Sequence, residues 1–141
     1  RLRQDDPEAM LAYLGYFECS EPPEQILPEE GIFLEYAPFE RDFHRPMTAQ
    51  AHPLARRLQV FPVENAKILE YWYDNSLFSD WTKPPKPFEV DAPVLAADFA
   101  FYRGFGFEDI GCFACYLGED YEALHGEVDI APFAEAYHSK K

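Results

Sequence analysis

Four stretches of this chain are nearly continuous in apolar character: residues 10–19 (MLAYLGYFEC), 31–39 (GIFLEYAPF), 66–75 (AKILEYWYDN) and 110–118 (IGCFACYLG). None alternates cleanly between apolar and polar positions. Unbroken apolar runs of this length are the pattern of strands covered on both faces, as in a parallel sheet. The first run also holds Met, Leu and Ala, which favour helix.

Helical spacing fills the gaps between these runs. Residues 48–61 (TAQAHPLARRLQVF) place apolar side chains at helical intervals, with Pro53 restricting where a helix can start. Residues 91–106 (DAPVLAADFAFYRGFG) are better marked: Asp91 suits an N-cap, Pro93 the first turn and Gly104 a stop after Arg103. Residues 119–126 read as a short helix closed by Gly126, and 131–137 as another. Two proline-rich segments, acidic 20–30 and basic 81–90, each follow a strand and read as loops at the carboxyl edge of the sheet. Strand and helix thus alternate from Gly31 onward, which predicts βαβ units with right-handed crossovers. The fold class expected is α/β, with about four βα units and a parallel sheet. Four such units make either a small open sheet or half of a TIM-type barrel, because a full barrel needs about 250 residues.

Composition narrows the possibilities. The chain has 141 residues and opens at Arg1 without an initiator Met, as expected of a fragment or processed piece. Its length suits a single domain, residues 1–141. Hydrophobic residues are 48% and aromatics 17%, enough for a packed core. The net charge of −14, with a pI near 4.5, argues against nucleic acid, whose phosphates repel such a surface, and against anionic membranes. No run approaches the roughly 18 apolar residues of a membrane span. An acidic, aromatic-rich protein fits a neutral or cationic partner, and a neutral sugar is one such partner; solubility alone is the plainer account of the charge. The compartment stays open. Cys112 and Cys115 form a C-x-x-C, but inside a strand, where residues three apart point to opposite faces. With Cys19 they are expected to be core thiols. The four histidines are scattered, so neither a metal site nor a cofactor is expected.

Three stretches carry a family resemblance. LEYAPFERDF (34–43), AKILEYWYDNSLFSDW (66–81) and CFACYLGEDYEALHGEVDI (112–130) resemble a family of bacterial glycoside-hydrolase-like (β/α)8 barrels related to alpha-glucuronidases and hexosaminidases. The matching positions are L-E-Y-W at 69–72, D-N-S at 74–76, D-Y at 120–121 and His125–Gly126. The resemblance implies the C-terminal half of a larger catalytic barrel acting on carbohydrate. Its partners would be carbohydrate and either the remaining half of the barrel or another copy of the chain. A non-catalytic glycan- or protein-binding module is the alternative. In such barrels the general acid commonly comes from a central strand, which would precede Arg1, so the fragment alone is expected to be inactive.

Barrel sites lie at the carboxyl ends of strands. Alternation puts Glu70, Trp72 and Asp74 on one face and Tyr71 and Tyr73 on the other. If the first face looks into the barrel, Glu70 and Asp74 are candidate catalytic carboxylates, with Glu35 as a third. A carboxyl among aromatics has a raised pKa, which suits a general acid. The alternative for Glu70 is an ion pair with a neighbouring Arg or Lys. Glycoside hydrolysis needs two carboxyls about 5 to 9.5 Å apart. Trp72, Tyr16, Tyr36, Tyr116 and Trp81 are candidates for stacking on sugar rings, and core packing is the alternative, the plainer account of Tyr16 and the least natural for Trp81 in its proline-rich loop. Arg41, His44 and Arg45 cluster in an acidic protein. Arg41 and Arg45 could hold the carboxylate of an acidic sugar, or pair with nearby acids. His44 could be a substrate contact or a structural hydrogen bonder.

Overall fold

The computed structural model describes residues 2–19 and 21–139; readings that fall on Arg1 and Ser20 lie outside the described residues. The chain is α/β. A short helix α1 (Leu2–Asp5) leads into strand β1 (Leu11–Gly15), which is followed by β2 (Ile32–Tyr36), helix α2 (Leu54–Arg57) and β3 (Lys67–Asp74). Helices α3 (Asn75–Phe78) and α4 (Ala92–Phe105), strand β4 (Asp109–Cys115), and helices α5 (Glu119–His125) and α6 (Ala131–His138) complete it. The four strands form one sheet, all parallel, in the order β1-β2-β3-β4. The arrangement is consistent with half of a TIM-type unit.

All four apolar runs contain the predicted strands, but the first is shorter than expected. β1 stops at Gly15, and Phe17–Cys19 turns as a 3-10 helix with Phe17 at a φ of 44°. The helix expected over 48–61 is reduced to a 3-10 turn, Met47–Ala49, and the single turn of α2. Pro53 caps α2 from outside and Pro62 follows four residues after its C-cap Leu58, so neither flank can extend it. In α4 the Asp91 side chain accepts from the Val94 N–H and Pro93 sits in the first turn, as the sequence predicts. The stop falls at Gly106 rather than Gly104. Only Gly106 adopts the left-handed φ, 100°, that a helix-terminating glycine supplies.

The sheet is covered on one face. Leu34, Tyr36, Ile68, Trp72, Tyr73 and Ile110 pack under Leu95, Phe99 and Tyr102 of α4, with Ala136 of α6 and Phe61 and Phe107 from the connections. Phe99 meets Phe133 of α6 at 5.4 Å between ring centroids. Side chains of the opposite face, among them Phe33, Glu35, Lys67 and Phe113, remain half-buried or exposed. A parallel sheet ordinarily has both faces covered, so this second face sets the molecule's functional question.

Candidate site at the carboxyl edge of the sheet

The geometry of the site begins with where β2 ends. β2 pairs with β3 only at Glu35–Lys67 and Tyr36–Ile68. Beyond Tyr36 the chain leaves the sheet and runs beside the upper half of β3, which brings Arg41 against Glu70. The Arg41 Nε lies 3.4 Å from Glu70 Oε2, and its Nη2 lies 2.5 Å from Asp98 Oδ2 on α4. Asp98 also accepts from the Met47 backbone N–H at 2.6 Å and the Trp72 indole N–H at 3.0 Å. Glu70 accepts a short hydrogen bond from the Tyr102 hydroxyl and a 3.2 Å bond from the Tyr71 N–H. Burial raises the Glu70 carboxyl to about 7, against the opposing pull of Arg41 and the Tyr102 bond.

Glu70 and Trp72 therefore share a face, as alternation requires, but it is the face beneath α4 and not one lining a cleft. Glu70 has no exposure and holds an internal ion pair, the alternative foreseen for it. Trp72 is stacked on Phe99 at 5.2 Å, with its N–H committed to Asp98, so it is a core side chain and no platform for a sugar. Tyr36 is also core, 3% exposed, with the Arg57 guanidinium over its ring. Arg41 meets Glu70 and Asp98 through Nε and Nη2, so its charge is already balanced inside the protein.

The alternation itself breaks above Glu70. The β3–β4 register shifts between Glu70 and Tyr73. Such an irregularity lets two successive side chains take one side. Tyr73 joins Trp72 beneath the helices, near Phe88 and Phe133, and its hydroxyl donates to the Asp129 carbonyl at 3.0 Å. Asp74 is correspondingly turned from its expected partners. Its Oδ1 accepts from the Ser76 N–H at 3.0 Å and from the Ser76 hydroxyl, capping α3. Its charge bears on Tyr16 and Tyr71, the ring on the other face of the sheet.

That other face carries an aromatic cluster at the strand ends. Phe39 lies 5.1 Å from Tyr71 and 6.4 Å from Trp81, and Tyr71 lies 5.7 Å from Phe113 and 6.2 Å from Tyr16. Phe17 packs edge-on against Tyr16 at 4.4 Å. Trp81 is 61% exposed, and Phe17 and Phe113 are also exposed. Glu35 sits half-buried on this side of β2, and its charge reaches Lys67 and Tyr71. Tyr116 is half-buried with Lys83 Nζ 4.4 Å over its ring. His44 is an exposed neighbour of Asp91, 3.9 Å away, with its ring against Phe78. Phe17, Phe39 and Phe113 were not among the sequence candidates. Their signal is position: each lies within three residues of a strand's carboxyl end.

The thiols are free. Cys19 is exposed rather than buried, while Cys112 packs against the core and burial pushes it to about 12. Among the described residues no group of three His, Cys, Asp or Glu side chains could hold a metal ion, and no helix is long and apolar enough to cross a membrane.

Fold and site together define an α/β protein with a four-stranded parallel sheet, one face sealed by helices and the other bearing aromatic side chains at the strand ends. No protein-family model matches the chain, and no curated protein or solved structure does either.

Proposed function

We propose that this chain is the C-terminal half of a glycoside-hydrolase-like barrel and that its uncovered face contacts carbohydrate. The observation that carries this reading is the cluster of Tyr16, Phe39, Tyr71, Trp81 and Phe113 at the carboxyl ends of parallel strands. Parallel α/β sheets bind ligands at that edge, and the apolar face of a sugar ring packs on an aromatic side chain as other apolar area does. Asp74, Glu70 and Glu35 are the acids whose charge reaches Tyr71, and of these Glu70 is enclosed beneath α4. Glu35 is half-buried on the open face, and Asp74, though only 2% exposed, keeps its Oδ2 without a hydrogen bond among the described residues, so Glu35 and Asp74 are the acids assigned to hydroxyl contacts or proton transfer. The uncovered face and the free edges of β1 and β4 would be completed by the rest of the barrel or by another copy of the chain.

A second reading, a binding module without turnover, draws on one specific observation. Glu70, the carboxyl best suited by its raised pKa to act as an acid, is enclosed in the core. The two readings part at Glu35→Gln in the chain together with the rest of its barrel. Lost hydrolysis with retained binding supports the enzyme; binding without hydrolysis in either form supports the module. Binding itself is read by titrating neutral oligosaccharides and following tryptophan emission. Trp81 is exposed and Trp72 is buried, so quenching should vanish in Trp81→Phe. A panel of neutral oligosaccharides that leaves the emission unchanged would sink both readings.

A further inference from the structure

Residues 41–57 carry four arginines and two histidines against one acid, Asp42, in a chain of net charge −14. The fold gathers part of that charge around one cavity. The cavity has a volume of about 190 Å³ and lies where the ends of β1 and β2 meet segment 47–53; Gly15, Tyr36, Arg41, Gln50 and His52 stand on its wall. That is room for about six waters at liquid density, hence for a small polar group and its shell.

The donors around it are unusual. Arg41 Nη1, His52 Nδ1 and Arg57 Nε and Nη1 are buried and meet no hydrogen-bond partner among the described residues. Nitrogens shut away from water in this way are rare in folded proteins, because nothing replaces the hydrogen bonds they gave up. The charges differ as well. Arg41 is balanced by Glu70 and Asp98. Arg57 is fully buried, donates from Nη2 to the Cys19 carbonyl, and meets no carboxylate at ion-pair distance among the described residues. Its neighbour Arg56 takes Glu21 instead. An unpaired buried cation is costly in a protein interior. Arg57 stands directly behind the cavity wall: a Cβ at Gly15 would lie 2.5 Å from Arg57 Nη1, so a side chain there would push the guanidinium back. Both arginines also act on Tyr36, opposing the rise that burial imposes on its hydroxyl. Glu40 shares the wall, but it is exposed and its charge is screened by solvent.

We propose that this cavity is a small-oxyanion site, in which a carboxylate or phosphate group accepts from Arg41 Nη1 and from His52 in its Nδ1–H tautomer, with Arg57 behind Gly15 and Tyr36 as the counter-charge. The geometry is that of a group held by charge-assisted hydrogen bonds. The group can arrive as a free anion or on a larger molecule. This site does not depend on the carbohydrate reading, because inorganic phosphate alone tests it and the Trp81 titration does not.

The test is a titration of the unmodified chain at fixed ionic strength, following the arginine Nε–H signals by nitrogen-15 NMR. Phosphate, acetate and glucose 6-phosphate are the probes, with chloride as reference. Saturable shifts of the Arg41 and Arg57 signals are expected. Shifts with phosphate or acetate identify a free anion, and shifts with glucose 6-phosphate alone identify the same group carried on a sugar. His52→Ala should weaken the constant by about tenfold, the loss of one good hydrogen bond. Chloride-like behaviour with all three probes overturns the proposal, and so does an unchanged constant in a folded His52→Ala. The titration of the unmodified chain decides the matter if that variant does not fold.

Discussion

The two faces of β3 use the same residue types for opposite purposes. Beneath the helices, Glu70 and Trp72 are locked into a polar junction with Arg41, Asp98 and Tyr102, whose side chains are almost wholly buried. On the other face, Tyr71 sits among Tyr16, Phe39 and Phe113, in a cluster that reaches solvent at Trp81. Acids and aromatics alternate along the strand on paper, yet one set specifies the fold and the other offers a surface. Residue type does not separate these roles. What separates them is which side the helices cover.

The comparison yields a ranked set of tests. Arg41→Ala should have the largest effect, because it leaves Glu70 and Asp98 buried without their cation. A loss of about 3–5 kcal/mol in urea unfolding is expected, as for other broken buried pairs. A loss below about 1 kcal/mol would mean that the junction is open to water.

Next comes a pH effect. Glu70 titrates near 7 in the folded chain and near its ordinary 4.5 when unfolded. Between those values the folded state keeps a proton that the unfolded state releases, so this group's contribution is most favourable below about 4.5 and fades as pH rises towards 7. The difference is at most about 3 kcal/mol. Comparing unfolding of the native chain with Glu70→Gln across pH 4.5 to 7 isolates it, and parallel curves would contradict the assignment. Asp74→Ala should follow, at about 1 kcal/mol, through loss of the cap on α3. Smallest is Trp81→Ala, within about 0.5 kcal/mol in stability. If that variant destabilises as much as Asp74→Ala, the open face is core after all.

Much of this architecture was legible in the sequence. The four apolar runs mark the four strands, and Asp91 and Pro93 mark the start of α4. The parallel pairing of those strands followed from their alternation with helical segments. The failures have physical causes. Local spacing cannot reveal that Asp98 would meet Arg41, 57 residues away, or Trp72, 26 residues away. The shift above Glu70 depends on pairing with β4, so Tyr73 and Asp74 could not be assigned to faces from a period of two. The four arginines between residues 41 and 57 look alike in sequence, yet Arg45 and Arg56 are exposed while Arg57 is buried against Gly15, a residue with no chemistry of its own.

Asp98 has one more consequence, for the way the molecule opens. One carboxylate gathers the loop that follows β2, the middle of β3 and the second turn of α4. Residues 41–47 have little regular structure to hold them, so a loop of this kind would ordinarily fray alone. Here the Met47 N–H and the Arg41 guanidinium both end on Asp98. The loop then opens only by giving up bonds to a buried helix carboxylate, which ties an irregular segment to the packing of α4.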